Sequence, residues 1–270
     1  MSASEQSGKS LIPLLHGRAL DFIKICAALC MVIDHIDHLW LQREVHMFFF
    51  IGRATFPLFC YGVATALIRA ESEEKVFRYV KIMIVLALIS EPISEFVRHQ
   101  SLMNVIFTLA AGAVFATMAE KMKSAHVMLC YAAAMAVSLC MALPIEFGLT
   151  GVVLPSAFLM VLRGRKGFGI WLFLLLLTVN QTGFVAQAMD LAPGTGMGAM
   201  LTVFFMTGAA TCIFPVLFME VGKCLDQTQR YLSRYFLHVF YPVHLAVLWG
   251  LGFVFFPDSL PVLCDCNGAG

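Results

Sequence analysis

Charged residues are scarce in this chain. Asp, Glu, Lys and Arg make up 13% of it, while 60% is hydrophobic; an ordinary soluble domain carries roughly a quarter charged residues. That shortage, with a mean hydropathy of +0.84, argues against a water-soluble globule. The net charge of +1 provides neither a basic face for nucleic acid nor an acidic one for a cationic partner, so no nucleic-acid partner is expected. Internal repeats and low-complexity segments are missing. So is a removable leader: Met1 to Ser10 is mostly polar and the apolar run Leu11 to Leu15 is short. The first long apolar segment is therefore expected to stay in the protein. Cysteine is present but not as a framework. The count is nine, an odd number, and Cys26, Cys30, Cys60, Cys130, Cys140 and Cys212 sit within apolar runs, where they read as small packing residues. Cys264 and Cys266 near the C-terminus are two thiols without further ligands, too few for a closed metal site.

Long apolar runs are what the chain has in abundance. Nine candidate spans can be drawn: Leu20 to Leu41, Met47 to Ile68, Tyr79 to Val97, Leu102 to Ala119, Val127 to Leu143, Phe147 to Leu162, Phe168 to Ala186, Met197 to Val221 and Tyr235 to Phe256. The fifth and sixth are short and separated only by Pro144 to Glu146, which also permits one re-entrant pair. The expected fold class is all-α, a polytopic integral membrane helix bundle of about nine spans. Residues 1–18 would form an N-terminal tail, 19–257 the membrane domain and 258–270 a short C-terminal tail.

Cations alternate between the two sets of loops. One set holds Lys9 and Arg18, then Arg69, Lys75 and Arg78, then Lys121 and Lys123, then Arg163, Arg165 and Lys166, then Lys223, Arg230 and Arg234. The other holds Arg43 and Arg98. By the positive-inside rule the first set is cytoplasmic. The expected localisation is the inner (cytoplasmic) membrane of a bacterium, multi-pass, with the N-terminus inside and membrane lipid around it.

Within the first span the apolar stretch Ile25 to Ile33 runs into Asp34, His35, Ile36, Asp37 and His38. Ionisable groups at membrane depth are costly unless solvated, paired or used. Asp34 and His38 are four apart and share a helix face, as do His35 and His38. A carboxylate beside an imidazole orients it for general-base work. A water-wetted helix end is the plain alternative, and a His-x-x-His zinc site the rival one, although no further histidine is clearly placed to complete it; no metal is expected. Arg53 enters the second span at a similar depth and needs a partner, Asp34 or Asp37. Pro57 should kink that span. Glu91 and Glu95 close the third span and Asn104 opens the fourth, where it would bond a carbonyl or pack between helices. Tyr241 and His244 lie near the middle of the ninth, some distance in depth from His35.

Four stretches in order, Met31-Val32-Ile33-Asp34-His35, Gly52 to Phe59, Asn104-Val105-Ile106-Phe107 and Phe240 to Leu245, resemble the TraX family, membrane proteins named for F-pilin acetylation. The segment from Glu120 to Asp226 is similar mainly in hydropathy. The resemblance implies that the membrane domain is acyltransferase-like. It would acetylate the N-terminal amine of a pilin or a pilin-like acceptor protein, with acetyl-CoA as donor. On that reading His35 and Asp34 are catalytic, His35 as base or acetyl carrier and Asp34 as the group that tunes it. Arg53, Asn104, His244 and Tyr241 would then meet substrate, and His244 is a second candidate base. A proton-coupled transporter built on the same Asp, His and Arg residues, and a pilus-assembly scaffold without chemistry, are the alternatives.

Overall fold

A helix that is hydrophobic all round has to be buried all round, and Gly148 to Leu162 has no polar stripe. In the computed structural model, which describes residues 10–41, 44–98, 103–165, 167–189, 196–233 and 236–255, every residue from Val153 to Leu162 is buried. That helix is the centre of an all-helical bundle. In chain order the described helices are α1 (Gly17–Leu39), α2 (His46–Gly52), α3 (Thr55–Arg69), α4 (Glu73–Arg98), α5 (Val105–Lys121), α6 (Ser124–Cys140), α7 (Gly148–Leu162), α8 (Phe168–Thr178), α9 (Phe184–Met189), α10 (Met197–Lys223) and α11 (Phe236–Phe255). Around α7 pack α3, α5, α6 and α8. Close approach of α5 depends on Gly112, where a Cβ would stand 2.7 Å from Pro155 Cγ.

The expected fifth and sixth spans are two separate helices, α6 and α7. They are joined by a sharp turn in which Phe147 (φ 65°) and Gly148 (φ 56°) are both left-handed. The Phe147 ring is held in place by stacking on Phe56, with ring centroids 3.9 Å apart.

Two of the expected spans are interrupted. The second breaks at Arg53-Ala54 between α2 and α3. The cause is Pro57, which has no N–H to give the Arg53 carbonyl four residues back. The seventh breaks after α8, across Asn180 to Gly183, and Gly183 takes a left-handed φ of 72°.

The stretch His46–Arg69 and the helix α10 are each long and apolar enough to cross a membrane, while Ser124–Cys140, Gly148–Leu162, Phe168–Thr178 and Val239–Gly252 are shorter apolar helices. α10 turns small residues inward, Gly208 lying against Leu177, and leaves Val203, Phe205, Met206, Ile213, Val216 and Leu217 exposed. Small residues toward neighbours and large apolar ones outward is the pattern of a helix in hydrocarbon. Cys264, Cys266 and the tail 258–270 lie outside the described residues, as do Lys9, Arg43, Lys166 and Arg234.

Candidate active site

The end of α1 carries the cluster, and residues from α2, the α8–α9 break, α10 and α11 meet it or are linked to it. Arg53, at the α2–α3 break, donates from Nη2 to Asp34 Oδ1 at 2.6 Å. Its Nε donates to the Phe49 carbonyl at 3.2 Å, its Nη1 to Asn180 Oδ1 at 3.4 Å, and the guanidinium lies 4.4 Å from the Phe49 ring centroid. Asn180 passes the chain on, donating to Thr211 Oγ1 at 2.9 Å, and Thr211 donates to the Thr207 carbonyl at 2.7 Å. One guanidinium thus ties α1, α2, the α8–α9 break and α10 together. The side chains of Arg53 and Asp34 are only 15% and 19% exposed, so each charge needs the other. Gly52 makes the approach possible. A Cβ there would fall 2.5 Å from Asp34 Oδ1 and 2.6 Å from Asp34 Cβ.

Of the two carboxylates considered for Arg53, the structure selects Asp34. Asp37 is fully buried and accepts from the Val45 N–H at 3.2 Å, which fastens the chain entering α2.

His35 and His244, expected at different depths, are in contact. The Nδ1 of His35 and the Nε2 of His244 are 2.8 Å apart. The rings are 8° from parallel with centroids at 5.0 Å. Parallel rings that far apart can bring nitrogens so close only by meeting edge to edge in one plane, so this is an in-plane hydrogen bond. The expectation that these residues lie apart in depth is corrected by the chain path before α11. The buried carboxylate of Asp21 accepts N–H bonds from Tyr231 at 2.7 Å and Leu232 at 2.9 Å. Since Asp21 is one turn into α1, the chain is drawn about 6 Å up that helix before α11 begins. His244 is raised toward His35 accordingly.

The proton positions follow from the partners. His244 Nδ1 is 2.9 Å from the Phe240 carbonyl oxygen. A carbonyl only accepts, so Nδ1 carries the proton and, in the neutral ring, Nε2 carries the lone pair. That lone pair takes the proton on His35 Nδ1, and the lone pair of neutral His35 is then at Nε2. Backbone carbonyl, His244 and His35 form a relay that fixes the tautomer of the outermost imidazole, as a buried acceptor does in hydrolytic triads. The Phe240 ring stacks on His244 (centroids 5.0 Å) and the buried Tyr241 ring meets it edge-on (5.7 Å).

A match to the family model for the TraX protein covers residues 19–252. The chain belongs to the TraX family. The match reaches from within α1 to within α11 and so takes in Asp34, His35, Arg53, Asn104, Tyr241 and His244. No curated protein and no solved structure matches the chain.

Asn104 is set apart from this TraX site by its bonding. It is fully buried at the N-cap of α5, where its Oδ1 accepts from Ile106 N at 3.0 Å. Its Nδ2 donates to the Ala87 carbonyl at 2.9 Å and to Glu91 Oε2 at 2.6 Å, which occupies both amide hydrogens. Asn104 and Glu91 clamp α5 to α4, so the amide has no hydrogen left to offer a substrate. Asn180 and Thr211 are site residues that the sequence reading did not name; the polar run Asn180-Gln181-Thr182-Gly183 inside an apolar segment is a signal that could have found Asn180, and Thr211 has no comparable one. Among the described residues no group of three or more His, Cys, Asp and Glu side chains could hold a metal ion.

Proposed function

We propose that this TraX-family protein is an integral-membrane acyltransferase that moves an acetyl group from acetyl-CoA to the N-terminal amine of a pilin or pilin-like acceptor. Membership of a family tied to the conjugative pilus supports the acceptor class. The single observation that carries the chemistry is the Phe240 carbonyl–His244–His35 relay, which sets the tautomer of His35 so that in the neutral ring the basic lone pair is at Nε2. In the reaction the amine attacks the thioester carbonyl, a C–N bond forms, and the C–S bond breaks with CoA leaving as thiolate. His35 Nε2 takes the proton that the amine loses and returns it to the thiolate. As His35 becomes an imidazolium, His244 and the Phe240 carbonyl stabilise the charge through the relay. Arg53, anchored by Asp34, the residue before His35, and by Asn180, would stabilise the oxyanion of the tetrahedral intermediate.

The protein is read as a multi-pass resident of the inner membrane with its N-terminus inside, from the alternation of loop cations. Accessibility labelling beside Ser2 and Gly270 should place the two ends on opposite faces if the span count is odd.

The test of function is the mass of a pilin co-expressed with and without the protein. One added acetyl group at the N-terminus is expected, present with wild type and missing with His35→Ala at equal membrane level. An unmodified pilin with wild type refutes the reading. The in-line histidines have the form of a proton relay as well, as a proton-coupled carrier would need. Acetyl transfer by purified protein in detergent, where no gradient exists, separates the two.

A further inference from the structure

A cavity of about 520 Å³ lies between α1, α3, α4, α5 and α11. Its two ends differ in character. At one end stand Lys24, Arg69, Lys75, Arg78 and Arg230, and no carboxylate is among the lining residues. The acids nearby do not balance these cations. Asp21 is shared between Lys24 (3.6 Å) and Arg230 (3.8 Å). Arg69 is bonded to neutral acceptors, the Leu15 carbonyl at 2.6 Å and His16 Nδ1 at 3.3 Å. Lys75 and Arg78 have exposed partners in Glu71 and Glu74, and exposed pairs hold little energy in water. The charge left over is positive.

From that end the wall turns apolar, through Leu58, Phe59, Ile82, Met83 and Ile106. The cavity finishes at Tyr241, whose ring touches His244. Space in the middle is kept open by Gly62. This glycine lies inside helix α3, where glycine costs up to about 1 kcal/mol against alanine, and a Cβ built on it would meet nothing within 4 Å. Packing does not require that glycine; a clear throat does.

We infer that this cavity binds the acyl donor as a phosphate-bearing thioester. Its phosphates would lie among Lys24, Arg69, Lys75, Arg78 and Arg230, its slender uncharged arm would pass Gly62, and its thioester would rest at Tyr241 beside the His244–His35 pair. The inference rests on the acyl-transfer reading. The order of polarity along the cavity matches the order along the ligand: charged head, thin neutral arm, reactive end. It also joins the side of the membrane that bears the loop cations to the histidine pair, so the donor need not cross. An anionic phospholipid shares the phosphate-and-apolar-tail chemistry, and the test separates the two sources.

The test uses the full-length protein in nanodiscs of phosphatidylcholine alone, titrated with CoA and with adenosine 3′,5′-bisphosphate. Lys75→Gln/Arg78→Gln alters two exposed side chains and should fold. It is expected to weaken both probes by about tenfold or more, the factor that 1.4 kcal/mol of lost charge contact represents. Gly62→Leu should raise thermal stability or leave it unchanged. It should weaken CoA about tenfold while leaving the bisphosphate, which lacks the arm, at its wild-type affinity. No CoA binding to wild type overturns the inference, as does binding that neither variant changes. Phosphatidylglycerol retained through purification by wild type but not by the double variant, with CoA indifferent to both, assigns the cavity to lipid and overturns it too. If CoA binds as expected and both variants weaken it, yet no amine is acetylated, the donor site stands and the transfer reading alone fails.

Discussion

Removing Arg53 should be the most damaging single change at the site, and the structure indicates how damaging. Arg53→Ala deletes the 2.6 Å charge-assisted bond to Asp34, the bond to the Phe49 carbonyl, the contact with Asn180 and the cation–π contact with Phe49. Breaking one half of a buried pair costs about 3–5 kcal/mol, because the surviving charge keeps its desolvation penalty. Asp34 is 19% exposed, so water reaches part of it and the expected loss is at the lower end, about 3 kcal/mol. The effect should be structural as well as chemical, since this side chain bonds across α1 and α2 and reaches α10 through Asn180. Arg53→Lys retains the charge but cannot reach Asp34, Asn180 and Phe49 from one planar fork; it should recover part of the stability and little of the activity. The assay is a thermal or denaturant melt of the purified variants, read beside their acetyl-transfer rates. A double-mutant cycle with Asp34→Asn isolates the pair. A coupling of about 1.5 kcal/mol or more is expected for a charge pair at this depth. Additive single effects, or a fully stable Arg53→Ala that is merely inactive, would refute the pairing and make Arg53 a group reserved for substrate.

Gly52→Ala places a Cβ 2.6 Å from Asp34 Cβ, which cannot swing away without its backbone; overpacking of this kind costs about 1–3 kcal/mol, and the melt should fall together with the Arg53–Asp34 coupling. Asn104→Ala removes an N-cap worth about 1 kcal/mol and buried bonds to α4, so the melting temperature should drop while the transfer rate per folded molecule stays near wild type; a selective loss of rate would return Asn104 to the site. His244→Gln should leave His35 in place but free its tautomer, lowering kcat more than KM, and His244→Ala should be worse; an unchanged kcat in His244→Gln would remove the relay from the mechanism. The His16 imidazole is held below its ordinary value of 6.5, first by burial and then by the Arg69 charge. The folded protein therefore binds fewer protons there than the unfolded chain, so stability is present above about pH 6.5 and falls as the pH drops through and below that value. Melts between pH 5 and 7.5 should show this slope diminished in His16→Gln, and an identical slope would assign the effect to other groups.

Composition and the length of the apolar runs determined that this protein is helical and largely apolar, because apolar segments of about 20 residues satisfy their backbone in hydrocarbon within their own helices. The local pattern Asp34-His35 and the isolated Arg53 announced a polar site, since charges are not retained at such depth without partners. Pro57 announced the break in the second span, because a missing N–H acts through the chain four residues away, within the reach of sequence. The choice of Asp34 over Asp37 was not legible, as it depends on which way α1 faces α2 and on the room left by Gly52. Asn104 was ambiguous from sequence because an amide can cap a helix or meet a substrate equally well; only the positions of the Ala87 carbonyl and Glu91 commit its hydrogens. The contact of His35 with His244 lay furthest from view. It joins residues 209 positions apart, and it depends on a buried carboxylate, Asp21, drawing a distant loop one turn up α1 before the last helix begins. Sequence patterns report what each helix must hide; which side chains then meet is decided by how the helices are offset along one another, and that offset is set by long-range bonds with no local signature.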